Sequence, residues 1–150
     1  MNIIITKARL TDIDIIINFQ QDMAMETEGM RLDPEVISAG VTAVFNDRSK
    51  GTYFVAKDGD TVVGSFLITP EWSDWRNSYV WWFQSVFVVP AYRRHGIFRM
   101  MYGYTYEKAL KEGVAGLRLY VEKNNLRAIK TYEAMGMNGD HYQLFEWLKD

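Results

Sequence analysis

The apolar positions of this chain change period several times, and each change marks an element. Ile3, Ile4 and Ile5 lie in Asn2 to Ala8, a short run that reads as a strand. Ile13, Ile16 and Ile17 then recur at helical spacing. Thr11 and Asp14 ahead of them make a partial capping box, with Asp where Glu or Gln is usual. Asp33-Pro34-Glu35 sets a cap residue before proline at the first helical position and predicts a second helix to about Asn46. Tyr53 to Ala56 and Thr61 to Thr69 are β-rich, and Asp58-Gly59 between them predicts a hairpin turn. A polar loop, Pro70 to Ser78, leads into a long strand, Tyr79 to Val89. The next helix opens after the turn at Gly96 and stops near Gly113, a C-cap glycine. Leu117 to Val121 reads as a strand, Asn125 to Met135 as a helix closed by Gly136, and Tyr142 to Leu148 as a last strand.

The predicted order is therefore β-α-α-β-β-β-α-β-α-β, a mixed α/β (α+β) fold. Its first half is largely antiparallel hairpins. The later strand–helix–strand unit needs a right-handed crossover, which places its two strands parallel. With 150 residues, and with no low-complexity linker or internal repeat, residues 1–150 are expected to form one domain.

Composition narrows the function by exclusion. Hydrophobic content of 48% and charged content of 24% suit a soluble globular chain. A net charge of -2 argues against nucleic-acid binding through global charge. There is no cysteine, which removes disulfides, zinc–thiolate sites and a cysteine nucleophile together. Neither His95 nor His141 stands in a metal-ligand spacing, so no metal is expected. The first residues do not resemble a signal peptide, and no apolar run approaches the ~20 residues that span a bilayer. A cytoplasmic protein without a membrane partner is expected.

The candidate chemistry centres on Arg93-Arg94-His95-Gly96-Ile97-Phe98, which follows the strand ending Val86-Phe87-Val88-Val89-Pro90. A strand that turns through glycine into a helix start offers unpaired N–H groups and the positive end of the helix dipole to a phosphate. Two arginines beside the turn add charge-assisted donors. The P-loop pattern is absent, the turn lacks the three glycines of a dinucleotide fingerprint, and no Gly-x-Ser-x-Gly elbow supplies a serine nucleophile.

Two separate motifs resemble the GCN5-related N-acetyltransferase (GNAT) family. Its cofactor motif, Arg/Gln-x-x-Gly-x-Gly/Ala after Val-x-Pro, is matched by Val88-Val89-Pro90 and by Arg93 to Phe98, with Phe98 where a small residue is usual. Its second motif is matched at Asn125, Ala128, Ile129, Tyr132 and Gly136, with Met137 in place of phenylalanine. The resemblance implies the acyl-CoA N-acyltransferase fold, in which two central parallel strands splay apart around acetyl-CoA. It implies that the pantetheine arm pairs with the strand edge at Val86, Phe87 and Val88. The pyrophosphate would meet the turn from Arg93 through Arg94, His95, Gly96 and Ile97 to Phe98. Asn125 and Tyr132 would face the pantetheine and thiol end, although Asn125 equally suits a helix N-cap and Tyr132 a packing stripe.

The activity implied is direct transfer of acetyl from acetyl-CoA to a primary amine of a small molecule or peptide. Tyr132 would act as general acid on the leaving thiolate, and a strand N–H near Val86 would stabilise the oxyanion. Some family members carry a glutamate base on the cleft strand. Here Trp81-Trp82-Phe83-Gln84-Ser85 has none, and Gln84 can only orient a water or the substrate. The resemblance implies that Glu26 and Glu28, at the end of the first helix, lie on the acceptor side as a cation attractor or remote base, although both equally suit a solvated helix end. Strand alternation puts Trp82 and Gln84 on one face, opposite Trp81 and Phe83. Trp72 and Trp75, in the polar loop, suggest an acceptor wall or a homodimer contact. A non-catalytic acyl-CoA-binding module on the same fold is the alternative.

Overall fold

A computed structural model describes residues 1–149. The residues fall into two compact units, one from Met1 to Leu119 and a second beginning at Tyr120. The first contains a five-stranded sheet ordered β1 (Ile3–Lys7), β2 (Thr52–Asp58), β3 (Thr61–Ser73), β4 (Ser78–Val88) and β5 (Gly116–Leu119). All neighbours are antiparallel except β4 and β5, which run parallel across the crossover helix as the topology rule requires.

Alternation along the strands divides the core into two layers. Tyr53, Val55 and Leu67 face α1 (Ile13–Glu28) and α2 (Pro34–Asn46), meeting Ile16 and Val41. Phe54, Phe66, Ile68 and Phe83 face the opposite layer, with Ile97 and Met101 of α3 (Ile97–Glu112). Phe66 is fully buried, its ring 5.2 Å from Phe54 and 5.8 Å from Phe83. Within each uninterrupted stretch of strand, the face that an apolar residue buries thus follows from its parity.

Local signals account for most boundaries. Asp33 Oδ1 accepts from the N–H groups of Glu35 (2.9 Å) and Val36 (3.2 Å), which caps α2 as its sequence predicts. The start of α1 differs. The predicted Thr11–Asp14 box does not form; instead Asp12, itself buried, accepts from the N–H of Arg9 at 2.8 Å and closes a short 3-10 turn, Leu10–Asp12, before the helix.

The predicted loop from Pro70 to Ser78 is mostly strand. β3 runs to Ser73 and β4 begins at Ser78, so only residues 74–77 turn. Proline is tolerated because β2 stops pairing at Ile68, leaving Pro70 in a two-stranded ribbon where one edge needs no donor.

In the second unit, α4 (Leu126–Ala134) has Asn125 as its N-cap, whose Oδ1 accepts from the N–H of Ala128 at 3.2 Å. The last strand expected at Tyr142 to Leu148 is absent. Alternation makes a segment strand-compatible, but a strand also needs a neighbour for its N–H and C=O groups. Among the described residues of this unit there is one helix and no strand to supply that ladder.

Candidate active site

β4 carries the site because of a break in its own ladder. Its parallel pairing with β5 ends at Phe83, opposite Leu119, while β4 continues to Val88. On the other side, Leu67 pairs with Gln84 and Ser65 with Phe87, so Ser85 and Val86 together oppose Phe66. That is a β-bulge, and Ser85 takes a left-handed φ of 51° to make it. A non-glycine residue there costs about 1–2 kcal/mol, and the bulge bends β4 where its contact with β5 ends.

Beyond the bulge the direction of the peptide groups can be read from the ladder. The N–H of Val89 donates to Val63 O at 2.8 Å, so Val89 points toward β3. A strand residue's N–H and C=O point the same way and alternate along the chain. The peptide groups of Val88 and Val86 therefore face away from β3. Phe87, between them, is paired to β3 through Ser65, and its ring is buried 4.9 Å from that of Phe19 on α1.

The turn after β4 opens α3. Proline and tyrosine form a short 3-10 segment, Pro90–Tyr92, and the N–H of Arg93 donates to Pro90 O at 3.2 Å. Arg94 (φ 66°) and Gly96 (φ 75°) are both left-handed. The first helical bond is Met100 N–H to Gly96 O at 3.1 Å, so the N–H groups of Ile97, Phe98 and Arg99 precede the helical ladder. Phe98 does not obstruct them. Its ring sits 5.9 Å from Phe83, edge-on, within the α3-side core. Arg94, His95 and Gly96 are exposed.

Arg93 is engaged elsewhere. Its Nε donates to Val88 O at 2.8 Å, and Nη2 donates to both oxygens of Glu26, at 3.0 and 2.9 Å. Its guanidinium lies 5.4 Å from the centre of the Phe87 ring. The structure thus joins two residues that the sequence analysis assigned separately, Glu26 to the acceptor side and Arg93 to the cofactor turn. Glu28, on the same last turn of α1, is exposed.

The remaining candidates group on one face of β3 and β4. Trp82 Nε1 donates to Glu71 Oε1, Arg118 Nη1 donates to Glu71 Oε2 at 3.2 Å, and the Arg118 guanidinium lies 5.9 Å from the Trp82 ring. Gln84 Nε2 donates to Thr69 Oγ1 at 2.7 Å, so Trp82 and Gln84 share that face as alternation requires. Glu71 is a carboxylate on this face that sequence reasoning missed, because it lay in a segment read as loop. Both of its oxygens are already occupied by donors. Trp72 packs edge-on against Tyr79 at 5.1 Å, whereas Trp75 is 91% exposed at the hairpin tip.

In the second unit, Tyr132 is half-buried on α4, and burial pushes its phenol above the ordinary value. It therefore keeps its proton at neutral pH. A shallow surface concavity lies elsewhere, along the exposed face of α2 at Pro34, Ser38, Thr42 and Asn46, and shares no residue with β4. Among the described residues no cluster of three potential metal ligands occurs, and no helix is long and apolar enough to cross a membrane.

β4 thus loses its parallel neighbour at Phe83, bulges at Ser85 and then turns into the start of α3. The chain belongs to the acetyltransferase (GNAT) family, whose model matches residues 16–137. A possible acetyltransferase from Clostridium difficile 630 is 42% identical, with a TM-score of 0.90 over 100% of this chain and 99% of that one. A predicted acetyltransferase from Clostridium acetobutylicum, solved with acetyl-CoA, is 15% identical, with a TM-score of 0.75 over 97% and 96% of the two chains. AAC(6')-Iy, solved with the bisubstrate analogue CoA-S-monomethyl-acetylneamine, is 13% identical, with a TM-score of 0.77 over all of both chains. The last two likenesses concern fold alone. None of the curated proteins matches the chain.

Proposed function

We propose that this protein transfers an acetyl group from acetyl-CoA to a primary amine of a small molecule or peptide in the cytoplasm. The observation that carries the reading is the outward-facing peptide edge of Val86 and Val88, running into the glycine turn at Gly96 and the N-terminal end of α3. An extended amide-bearing arm ending in a pyrophosphate matches that order of donors and acceptors: strand-type pairing first, anion binding second.

The residues then divide the chemistry. An amine nitrogen attacks the thioester carbonyl, the C–N bond forms, the C–S bond breaks and the coenzyme leaves as thiolate. The Val86 N–H is the strand donor assigned to the developing oxyanion. Tyr132, protonated at neutral pH, is assigned the proton delivered to the thiolate. Phenol at about 10 and thiol at about 8.5 make that transfer uphill by about 2 kcal/mol, and burial of Tyr132 adds to the gradient. Its contribution therefore lies within the ~10²–10⁴-fold of general-acid help. No carboxylate lies on β4 to serve as base, and Glu71 is already held by Trp82 and Arg118. Proton loss from the ammonium is assigned to water, ordered by Gln84.

Two measurements test the reading. Acetyl-CoA at 100 times its dissociation constant should stabilise the fold by about 2.7 kcal/mol, and no thermal shift at millimolar acetyl-CoA refutes it. Tyr132→Phe should slow turnover more than tenfold while leaving acetyl-CoA affinity nearly unchanged; unaltered turnover removes Tyr132 from the mechanism. The alternative, a non-catalytic acyl-CoA-binding module, is favoured by Gln84 standing where a base would be. It predicts cofactor binding without thiol release across a broad amine panel. Trp75 at the hairpin tip suits either an acceptor wall or a homodimer contact, and sedimentation of Trp75→Ser against the parent chain separates the two.

A further inference from the structure

We propose that Arg93 is shared between Glu26 and the anionic cofactor, so that cofactor binding weakens its hold on Glu26 and frees that carboxylate for a cationic acceptor. The inference rests on the acetyl-CoA reading above and adds an order to it, cofactor first and ammonium second.

Three features of the structure lead there. The first is economy of donors. Guanidinium carries five N–H groups. Three are spent, one on Val88 O and two on Glu26, which leaves the Nη1 pair for another acceptor. Arg93 is also three residues before Gly96, at the mouth of the anion-binding turn, and its Nε holds the last carbonyl of the cofactor edge. A phosphate drawn to the Nη1 pair shares the guanidinium's single positive charge with Glu26, and so weakens its hold on that carboxylate.

The second is the placement of Glu26. It lies in the last turn of α1, where no basic residue offsets the negative end of the helix dipole, and Glu28 follows in the same turn. A carboxylate at a helix C-terminus is electrostatically unfavourable by itself. Arg93, 67 residues away in the chain, is what compensates it. While the pair is closed, Glu26 presents little charge to an ammonium ion.

The third is the strength of the latch. Both side chains are about two-fifths exposed, 42% for Arg93 and 41% for Glu26. An ion pair with that solvent access is worth little, so a polyanionic ligand can displace it. The Phe87 ring, fixed between Phe19 and the guanidinium, gives Arg93 a surface to pivot on without leaving Val88 O. Cofactor binding thereby converts a neutral pair into a bound phosphate and an exposed carboxylate. By reciprocal linkage, a bound ammonium should then tighten the cofactor.

The test is coenzyme A binding, measured by calorimetry, for the parent chain, Glu26→Gln, Arg93→Gln and the double variant. Glu26→Gln should bind coenzyme A about two- to fivefold more tightly, equivalent to about 0.4–1 kcal/mol at about 1.4 kcal/mol per decade. Arg93→Gln should bind more weakly, and adding Glu26→Gln to it should bring no gain, because the competitor acts only through Arg93. In steady-state assays with a cationic amine, Glu26→Gln should lower the KM for acetyl-CoA and raise that for the amine. A merely structural strut would move both KM values upward together.

Unchanged or weaker coenzyme A binding by a folded Glu26→Gln overturns the proposal, as does an equal gain in the Arg93→Gln background. Failure of all four proteins to bind coenzyme A, the parent included, overturns the acetyl-CoA reading itself. The two failures are therefore distinguishable.

Discussion

Gly64 lies in β3 opposite Val88. A Cβ at that position would sit 2.8 Å from Phe87 O and 3.0 Å from the Met101 methyl. Ordinary contact begins near 3.4 Å, so the first neighbour must retreat by several tenths of an ångström. That neighbour is backbone, held in the β3–β4 ladder, and Met101 is itself fully buried. Neither can yield cheaply. Gly64→Ala should therefore carry an overpacking cost of about 1–3 kcal/mol, or a Tm lowered by roughly 2–12 °C at about 2–4 °C per kcal/mol. Gly40→Ala is the matched control. Gly40 lies inside α2 with no atom within 4 Å of its added Cβ, and φ there is not positive. Alanine should stabilise that helix by about 0.8–1 kcal/mol. Thermal and urea unfolding of the two variants should thus give shifts of opposite sign. Because the displaced carbonyl belongs to Phe87, Gly64→Ala should also weaken acetyl-CoA binding, while Gly40→Ala should not. Equal stability for Gly64→Ala and the parent would refute the claim that β3 and β4 are held in rigid contact at the site.

Asp33→Ala removes the acceptor for two N–H groups at the start of α2 and should cost about 1 kcal/mol, read as a lower urea midpoint with unchanged acetyl-CoA affinity. Burial raises the phenols of Tyr53 and Tyr132 above their ordinary value. The folded chain then keeps protons that the unfolded chain releases, so stability should be level below about pH 10 and fall as pH rises through the folded-state values. Urea midpoints between pH 8 and pH 11 check this, and Tyr53→Phe should reduce the alkaline loss.

Most of the order of elements and the parallel pair around α3 were legible in the sequence. Each depends on near-neighbour rules: the period of the apolar residues, a cap such as Asp33, a turn such as Asp58-Gly59. The motifs from Arg93 to Phe98 and from Asn125 to Gly136 were legible for the same reason, since each lies within one turn or one helix. Where local rules met a missing or unexpected partner, they failed. Tyr142 to Leu148 has the alternation of a strand without a ladder in its own unit. Pro70 reads as a loop residue until β2 is seen to end at Ile68.

The sequence by itself determined the family, most of the elements and the position of the glycine turn at Arg93 to Phe98, because backbone geometry and helix starts are set by residues close in the chain. Tertiary structure alone decided how that turn is wired. It brought Glu26 within 2.9 Å of Arg93, set Glu71 between Trp82 and Arg118, turned Phe98 into the core and bulged β4 at Ser85. Charge and hydrogen bonding act over a few ångströms whatever the separation along the chain, and only the folded sheet reveals which side chains come that close.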